Sequence, residues 1–226
     1  MTHLLSCIEI ESAPNPTAAV IWMHGLGASG DDFAAIVPEL DLAGCPPIRF
    51  IFPHAPTMPV TINGGYVMPA WYDILGTELG SGAIRKEDEV GIRKSQAALE
   101  ALIAREVARG IAANKIVIAG FSQGCAMALH TGLRYSESLA GIMALSGYLP
   151  LASTVAAEAA SANKATPILM AHGLQDPVVV LDRAQASRAV LEALGYQIDW
   201  KTYPMPHSVH PREVADISHF LQTVLI

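Results

Sequence analysis

The chain has 226 residues, 51% hydrophobic and 15% charged, with a formal net charge of −7. Such a composition excludes a disordered chain and can fill one large core, so a single domain over residues 1–226 is expected. The 14 Lys and Arg are scattered among 21 acidic residues, which argues against a nucleic-acid partner, because phosphate neutralisation needs clustered cations; a small or neutral substrate fits better.

The N-terminus, "MTHLLSCIEIE", has no basic leader region and meets acidic residues before any long apolar run, so no signal peptide is expected. Apolar, β-branched runs of strand length follow at Ala19–Met23, Ile48–Phe52, Ile116–Ala119, Gly141–Leu145, Ile168–Ala171 and Ile198–Tyr203. Helix-period stretches alternate with them: Asp31–Leu40 after a Ser29-Gly30 cap signal, then Glu87–Arg109, Cys125–Arg134, Val179–Leu194 and Arg212–Leu225. Strands apolar on both faces, separated by helices, predict an α/β fold: a mostly parallel sheet with helices on both faces. The uncharged stretch Ser138–Ala157 is broken by Ser, Gly, Tyr and Pro, so strand and loop are expected there rather than a membrane span. Cys7, Cys45 and Cys125 are odd in number and lack C-x-x-C spacing, which suits a reducing cytoplasm and gives no disulfide framework or zinc knuckle.

One segment interrupts the alternation. His54–Ile84, rich in Pro and Gly, is too long and apolar for an ordinary connection. Its Met58, Met68, Trp71 and Leu75 are candidates to line an apolar pocket, or else close a small core of the loop's own.

Gly120-Phe121-Ser122-Gln123-Gly124 is a G-x-S-x-G sequence lying directly after a predicted strand and before a predicted helix. A nucleophile elbow holds its serine on a strained turn whose flanking residues must be small, and the helix N-terminus directs amides at the reacting oxygen. The plainer alternative is a tight turn with a capping serine. A serine nucleophile needs a base and a group that orients the base, in the order serine, acid, histidine for a doubly wound hydrolase. Asp176 follows one predicted strand and His207 the next, both at strand C-terminal ends, where open α/β sheets bind ligands. Asp199 falls within a strand, Asp182 and His219 within helices, and His172 ends a strand. His210 shares the loop of His207, and position alone does not separate the two. A zinc site from His207, His210 and Asp176 has neither H-E-x-x-H nor a cysteine pair to support it. Gly25-Leu26-Gly27 offers inward-facing amides, so Leu26 and Gln123 are the expected oxyanion donors; a phosphate-binding reading of the same turn, whose Gly25, Gly27 and Gly30 fall at G-x-G-x-x-G positions, finds no acidic ribose partner.

The motifs H-G-L-G-x-S-G (His24–Gly30), "FPHAP" (Phe52–Pro56), "AWYD" (Ala70–Asp73), G-F-S-Q-G (Gly120–Gly124), H-G-x-x-D-P-V-V (His172–Val179) and M-x-H-S (Met205–Ser208) together resemble the phospholipase/carboxylesterase family. The resemblance spans nearly the whole chain. It implies the α/β-hydrolase fold, with Ser122 as nucleophile, Asp176 as acid and His207 rather than His210 as base, and with Leu26 and Gln123 at the oxyanion. "VTINGGYVMPAWYDI" looks closer to bacterial carboxylesterases than to eukaryotic thioesterases. Two positions depart from the family pattern: Cys125, where glycine usually follows the serine motif, and Pro204, where glycine is common. A buried structural role is expected of Cys125 in preference to a reactive thiol.

The expected activity is therefore that of a serine carboxylesterase acting on esters of small to medium acyl chains, without metal or organic cofactor. Acyl-protein thioesterase and lysophospholipase are alternatives with the same chemistry. A catalytically idle scaffold that binds lipid or a partner through the apolar loop is the alternative of a different class. A homodimer is compatible with the resemblance.

Overall fold

The computed structural model describes residues 4–76 and 87–226. A seven-stranded sheet runs in the order β1-β3-β2-β6-β7-β8-β9, built from β1 (Cys7–Glu11), β2 (Ala18–Met23), β3 (Ile48–Pro53), β6 (Ile116–Phe121), β7 (Gly141–Leu145), β8 (Ile168–Gly173) and β9 (Ile198–Tyr203). All pairings are parallel except the edge pair β1 with β3. The β4 (Thr57–Val60) and β5 (Tyr66–Pro69) strands form a separate hairpin. Helices α1 (Glu89–Ala108), α2 (Gln123–Arg134), α3 (Val155–Glu158), α4 (Leu181–Ala193) and α5 (Pro211–Val224) complete the α/β-hydrolase architecture.

Successive residues of each central strand serve opposite layers, because strand side chains alternate. From β2, Ala19, Ile21 and Met23 enter a core beneath α1, α2 and α4, with Ile92, Leu99, Ile103, Met127 and Leu191. Ala18, Val20 and Trp22 enter a second core on the other face, with Phe33, Ile217, Phe220 and Leu221. Both faces are thus covered, and each fully buried large aliphatic side chain contributes about 2 kcal/mol. A charged link joins the layers at one edge: Glu106 of α1, fully buried, receives Arg49 of β3 at 2.7 Å and Arg109 at 3.0 Å.

Two expectations change, and one strand appears that the sequence reading did not anticipate. Residues 31–40 form no α-helix but a 3-10 turn over Ala34–Glu39, with Pro38 inside it; Pro38 has no amide to donate and its ring crowds the preceding turn. The first strand, Cys7–Glu11, alternates apolar and acidic residues and pairs at the sheet edge. Part of the long segment is the β4–β5 hairpin, reversed at Gly64 and Gly65, both with positive φ. Residues 77–84 of the predicted pocket segment lie outside the described residues. Among the described residues no helix is long and apolar enough to cross a membrane.

Candidate active site

Ser122, between β6 and α2, has φ 55° and ψ −116°, a conformation that side-chain-bearing residues seldom adopt and that is held at a cost of about 1–3 kcal/mol. The two glycines make this turn sterically feasible. A Cβ on Gly120 would lie 2.1 Å from the carbonyl oxygen of Gly124, and one on Gly124 would lie 2.3 Å from that of Met23. The strand and helix therefore close tightly around Ser122, and the amide of Gln123, first residue of α2, has no intrahelical acceptor.

His207 and Asp176 meet across two neighbouring loops, with His207 Nδ1 2.6 Å from Asp176 Oδ2. The other carboxylate oxygen accepts from the amides of Val178 and Val179 at 2.8 and 2.9 Å, so Asp176, 6% exposed, has every oxygen engaged. Nδ1 of His207 donates to the carboxylate, which leaves Nε2 as the basic nitrogen. The two loops are clasped by Leu174 N donating to Tyr203 O at 2.8 Å and Gln175 N donating to Met205 O at 3.1 Å. Pro204 sits within this clasp, and the turn still delivers His207 to Asp176. His207 also packs on Phe121, the residue before Ser122, with ring centroids 4.7 Å apart.

His172 braces the acid loop rather than competing for the site. Burial lowers its pKa and keeps the ring neutral, and its Nε2 donates to Val179 O at 2.7 Å. His210 caps α5, accepting from Arg212 N at 3.1 Å, and stacks on Tyr203. Asp199 lies in β9, while Asp182 and His219 lie in α4 and α5.

The Gly25–Gly27 turn lies beside Ser122: a Cβ on Gly25 would be 3.3 Å from Ser122 Cβ. Buried His24 shapes the turn. Its Nε2 accepts from Ala55 N at 3.1 Å, so Nδ1 carries the proton and donates to Gly25 O at 2.7 Å. Burial depresses its pKa, in keeping with a neutral ring. Gly27 N donates to Pro69 O at 2.9 Å and Trp71 Nε1 to His24 O at 2.9 Å. Among the described residues, the Leu26 amide has no backbone acceptor.

Of the predicted pocket residues, Met58 and Met68 are cross-strand partners in the hairpin, both half-buried. Met68 Sδ stands over the turn, 3.6 Å from where a Cβ on Gly27 would be. Leu75 is half-buried. Trp71 is 1% exposed and belongs to the core beneath the turn. Sequence reasoning missed the side chains that fasten these parts: His24, His54, which accepts from Gly30 N at 3.1 Å, and Gln123, whose side-chain amide bonds the backbone of Trp71 and Tyr72 at 2.9 and 2.7 Å. The histidines stood inside the quoted motifs, but partners 24 to 52 residues apart leave no local signal.

Cys125 is buried against Gly147, and burial pushes its thiol pKa far upward. That leaves no thiolate for nucleophilic chemistry near neutral pH.

A serine on a strained strand–helix turn, at the C-terminal end of a parallel sheet and beside a histidine–carboxylate pair, defines a hydrolase of the serine type. A model of the phospholipase/carboxylesterase family matches residues 5–225, and the chain belongs to that family. It is 42% identical to acyl-protein thioesterase 1 of Gibberella zeae over 95% of this chain and 93% of that one. Identity to acyl-protein thioesterase 1 of Neurospora crassa is 45%, over 91% and 86% of the two chains. The crystal structure of Arabidopsis thaliana SOBER1 superposes with a TM-score of 0.86 at 31% identity, covering 92% of this chain and 99% of that one. The expected nearness of the 60–74 segment to bacterial carboxylesterases finds no support in these similarities to fungal thioesterases.

Proposed function

We propose that the protein is an acyl-thioester hydrolase acting on S-acylated polypeptides. The observation that carries this reading is the 42–45% identity, over more than nine-tenths of the chain, to fungal proteins of that activity. The chemistry follows from the site. Ser122 Oγ attacks the thioester carbonyl carbon while its proton passes to Nε2 of His207, and Asp176 stabilises the imidazolium through Nδ1. The amides of Leu26 and Gln123 hold the oxyanion as the carbon becomes tetrahedral. The C–S bond breaks, the thiolate takes the proton from His207, and water attacks the acyl-Ser122 ester by the same proton route in reverse. Met58, Met68 and Leu75 border the acyl group, over a floor supported by Trp71. Three cysteines without a disulfide support a reducing compartment such as the cytoplasm.

The same acyl-enzyme serves oxygen esters, so a carboxylesterase of the kind named by the family description is the second reading. A matched series of S-acyl peptides and simple esters of increasing chain length separates them. The thioesterase reading expects kcat/KM for the acyl peptide to exceed that for the ester of the same acid; the reverse order sinks it. A fluorophosphonate mapped to Ser122 by peptide mass spectrometry tests the shared chemistry, and absence of any adduct favours an idle binding scaffold.

A further inference from the structure

The proton that His207 takes from Ser122 is handed to the departing thiol, so the leaving group must lie on the His207 side of the nucleophile. On that side a groove of about 740 Å3 runs between the 34–39 turn and the first half of α5 and ends against Phe121 and His207. Ile36 contributes to its apolar lining, and Asp32, Glu39 and Asp41 also line it. All three carboxylates belong to exposed residues. None forms an ion pair among the described residues, and the groove's lining contains no Lys or Arg. Asp41 is held in place by Ala43 N, which donates to its Oδ1 at 3.0 Å.

We infer that this groove receives the polypeptide carrying the acyl group and selects segments with Lys or Arg next to the acylated cysteine. Three unpaired carboxylates around an apolar surface complement a cationic peptide that also carries aliphatic stems. They repel an anionic lipid surface, and equally a second copy of a chain whose net charge is −7. Continuity with His207 distinguishes the groove from an incidental acidic patch, since a peptide lying there presents its cysteine sulfur to the proton donor. A second cavity, of about 590 Å3 around Lys164, Gly195 and His219, is at the opposite end of the strands and lacks that continuity.

The inference rests on the thioesterase reading, and the experiment keeps the two apart. Peptides with one S-octanoyl cysteine are flanked by three lysines, three serines or three glutamates, and are assayed beside S-octanoyl-N-acetylcysteamine, which has no peptide, and a simple octanoyl ester. The value of kcat/KM is expected to fall from the lysine to the serine to the glutamate peptide, by about tenfold overall. The spread shrinks in about 0.5 M salt. In the combined Asp32→Asn, Glu39→Gln, Asp41→Asn variant the lysine-to-glutamate ratio falls towards one; being a ratio within one protein, it is insensitive to partial loss of folded enzyme. Equal rates for the three peptides overturn the groove assignment, as does a lysine preference that survives in the variant, while leaving the thioesterase reading intact. Turnover of the simple ester with none of any thioester overturns that reading and the groove's role with it.

Discussion

Gln123 is bonded to Trp71 as one strand is to another: its side-chain Oε1 accepts the Trp71 amide at 2.9 Å, and its Nε2 donates to the next carbonyl, Tyr72 O, at 2.7 Å. The residue whose backbone is the proposed oxyanion donor therefore also fastens the segment that carries the proposed pocket. Ser95 Oγ, donating to Trp71 O, and Asp88, accepting from Asp73 N at 2.9 Å, anchor the same segment from α1 and its N-cap. In Gln123→Met two buried backbone groups lose their partners, and the expected destabilisation is about 2–4 kcal/mol, read by urea unfolding. A structural loss alone would affect all substrates alike. The pocket linkage predicts instead that the fall in kcat/KM grows with acyl chain length.

The strain at Ser122 predicts opposite effects on activity and stability. Ser122→Gly removes the proposed nucleophile but relieves a φ of 55°, because glycine tolerates that region without a Cβ clash. Turnover should fall by a factor on the order of 10⁶, while the folded state gains about 1 kcal/mol. Activity within tenfold of the parent would refute the role of Ser122, and a loss of stability would refute the strain.

His207 and His210 divide the work of one loop. The imidazole of His210 caps α5 and its amide is bonded by Glu213, at 3.2 Å, in a reciprocal capping box. His210→Ala should therefore cost about 1 kcal/mol of stability and change turnover only a few-fold, whereas His207→Ala removes about as much activity as loss of the serine. Comparable activity losses in the two variants would return the choice of base to an open question.

The five inner strands were legible in the sequence because burial on both faces leaves almost wholly apolar runs, whereas edge strand β9, with Asp199 and Lys201 in a partly exposed IDWKTY, was legible from its Ile, Trp and Tyr; the elbow was legible because its steric demand falls on residues only two positions away. The Asp31–Leu40 stretch misled because apolar spacing registers periodicity but not the missing amide of Pro38. The hairpin at 57–69 was hidden by Pro59 and Pro69, residues that argue against strands except at exposed edges. The pairing of His207 with Asp176 was anticipated from chain order and family resemblance, but the bonds of His24, His54 and Gln123 arise only when distant strands stand side by side.

Glu213 gives the fold a pH dependence of its own. It is fully buried near the start of α5, and Oε1 finds no partner among the described residues. Burial pushes its pKa up to about 7; the His210 amide opposes the shift and Asp216 adds to it. Between the ordinary value of 4.5 and about 7, the folded state binds more protons at this group than the unfolded chain, so stability falls as pH rises through that window. Below it the carboxyl is neutral in both states and there is no penalty; above it the penalty reaches about 3 kcal/mol. A glutamine side chain is not ionisable, and its carbonyl can still accept from the His210 amide, so Glu213→Gln should be more stable than the parent at pH 8 and nearly equal to it at pH 4. Chemical unfolding of both proteins across that range measures the difference directly. A constant offset would mean that side-chain shape, rather than the buried charge, sets the cost at this position.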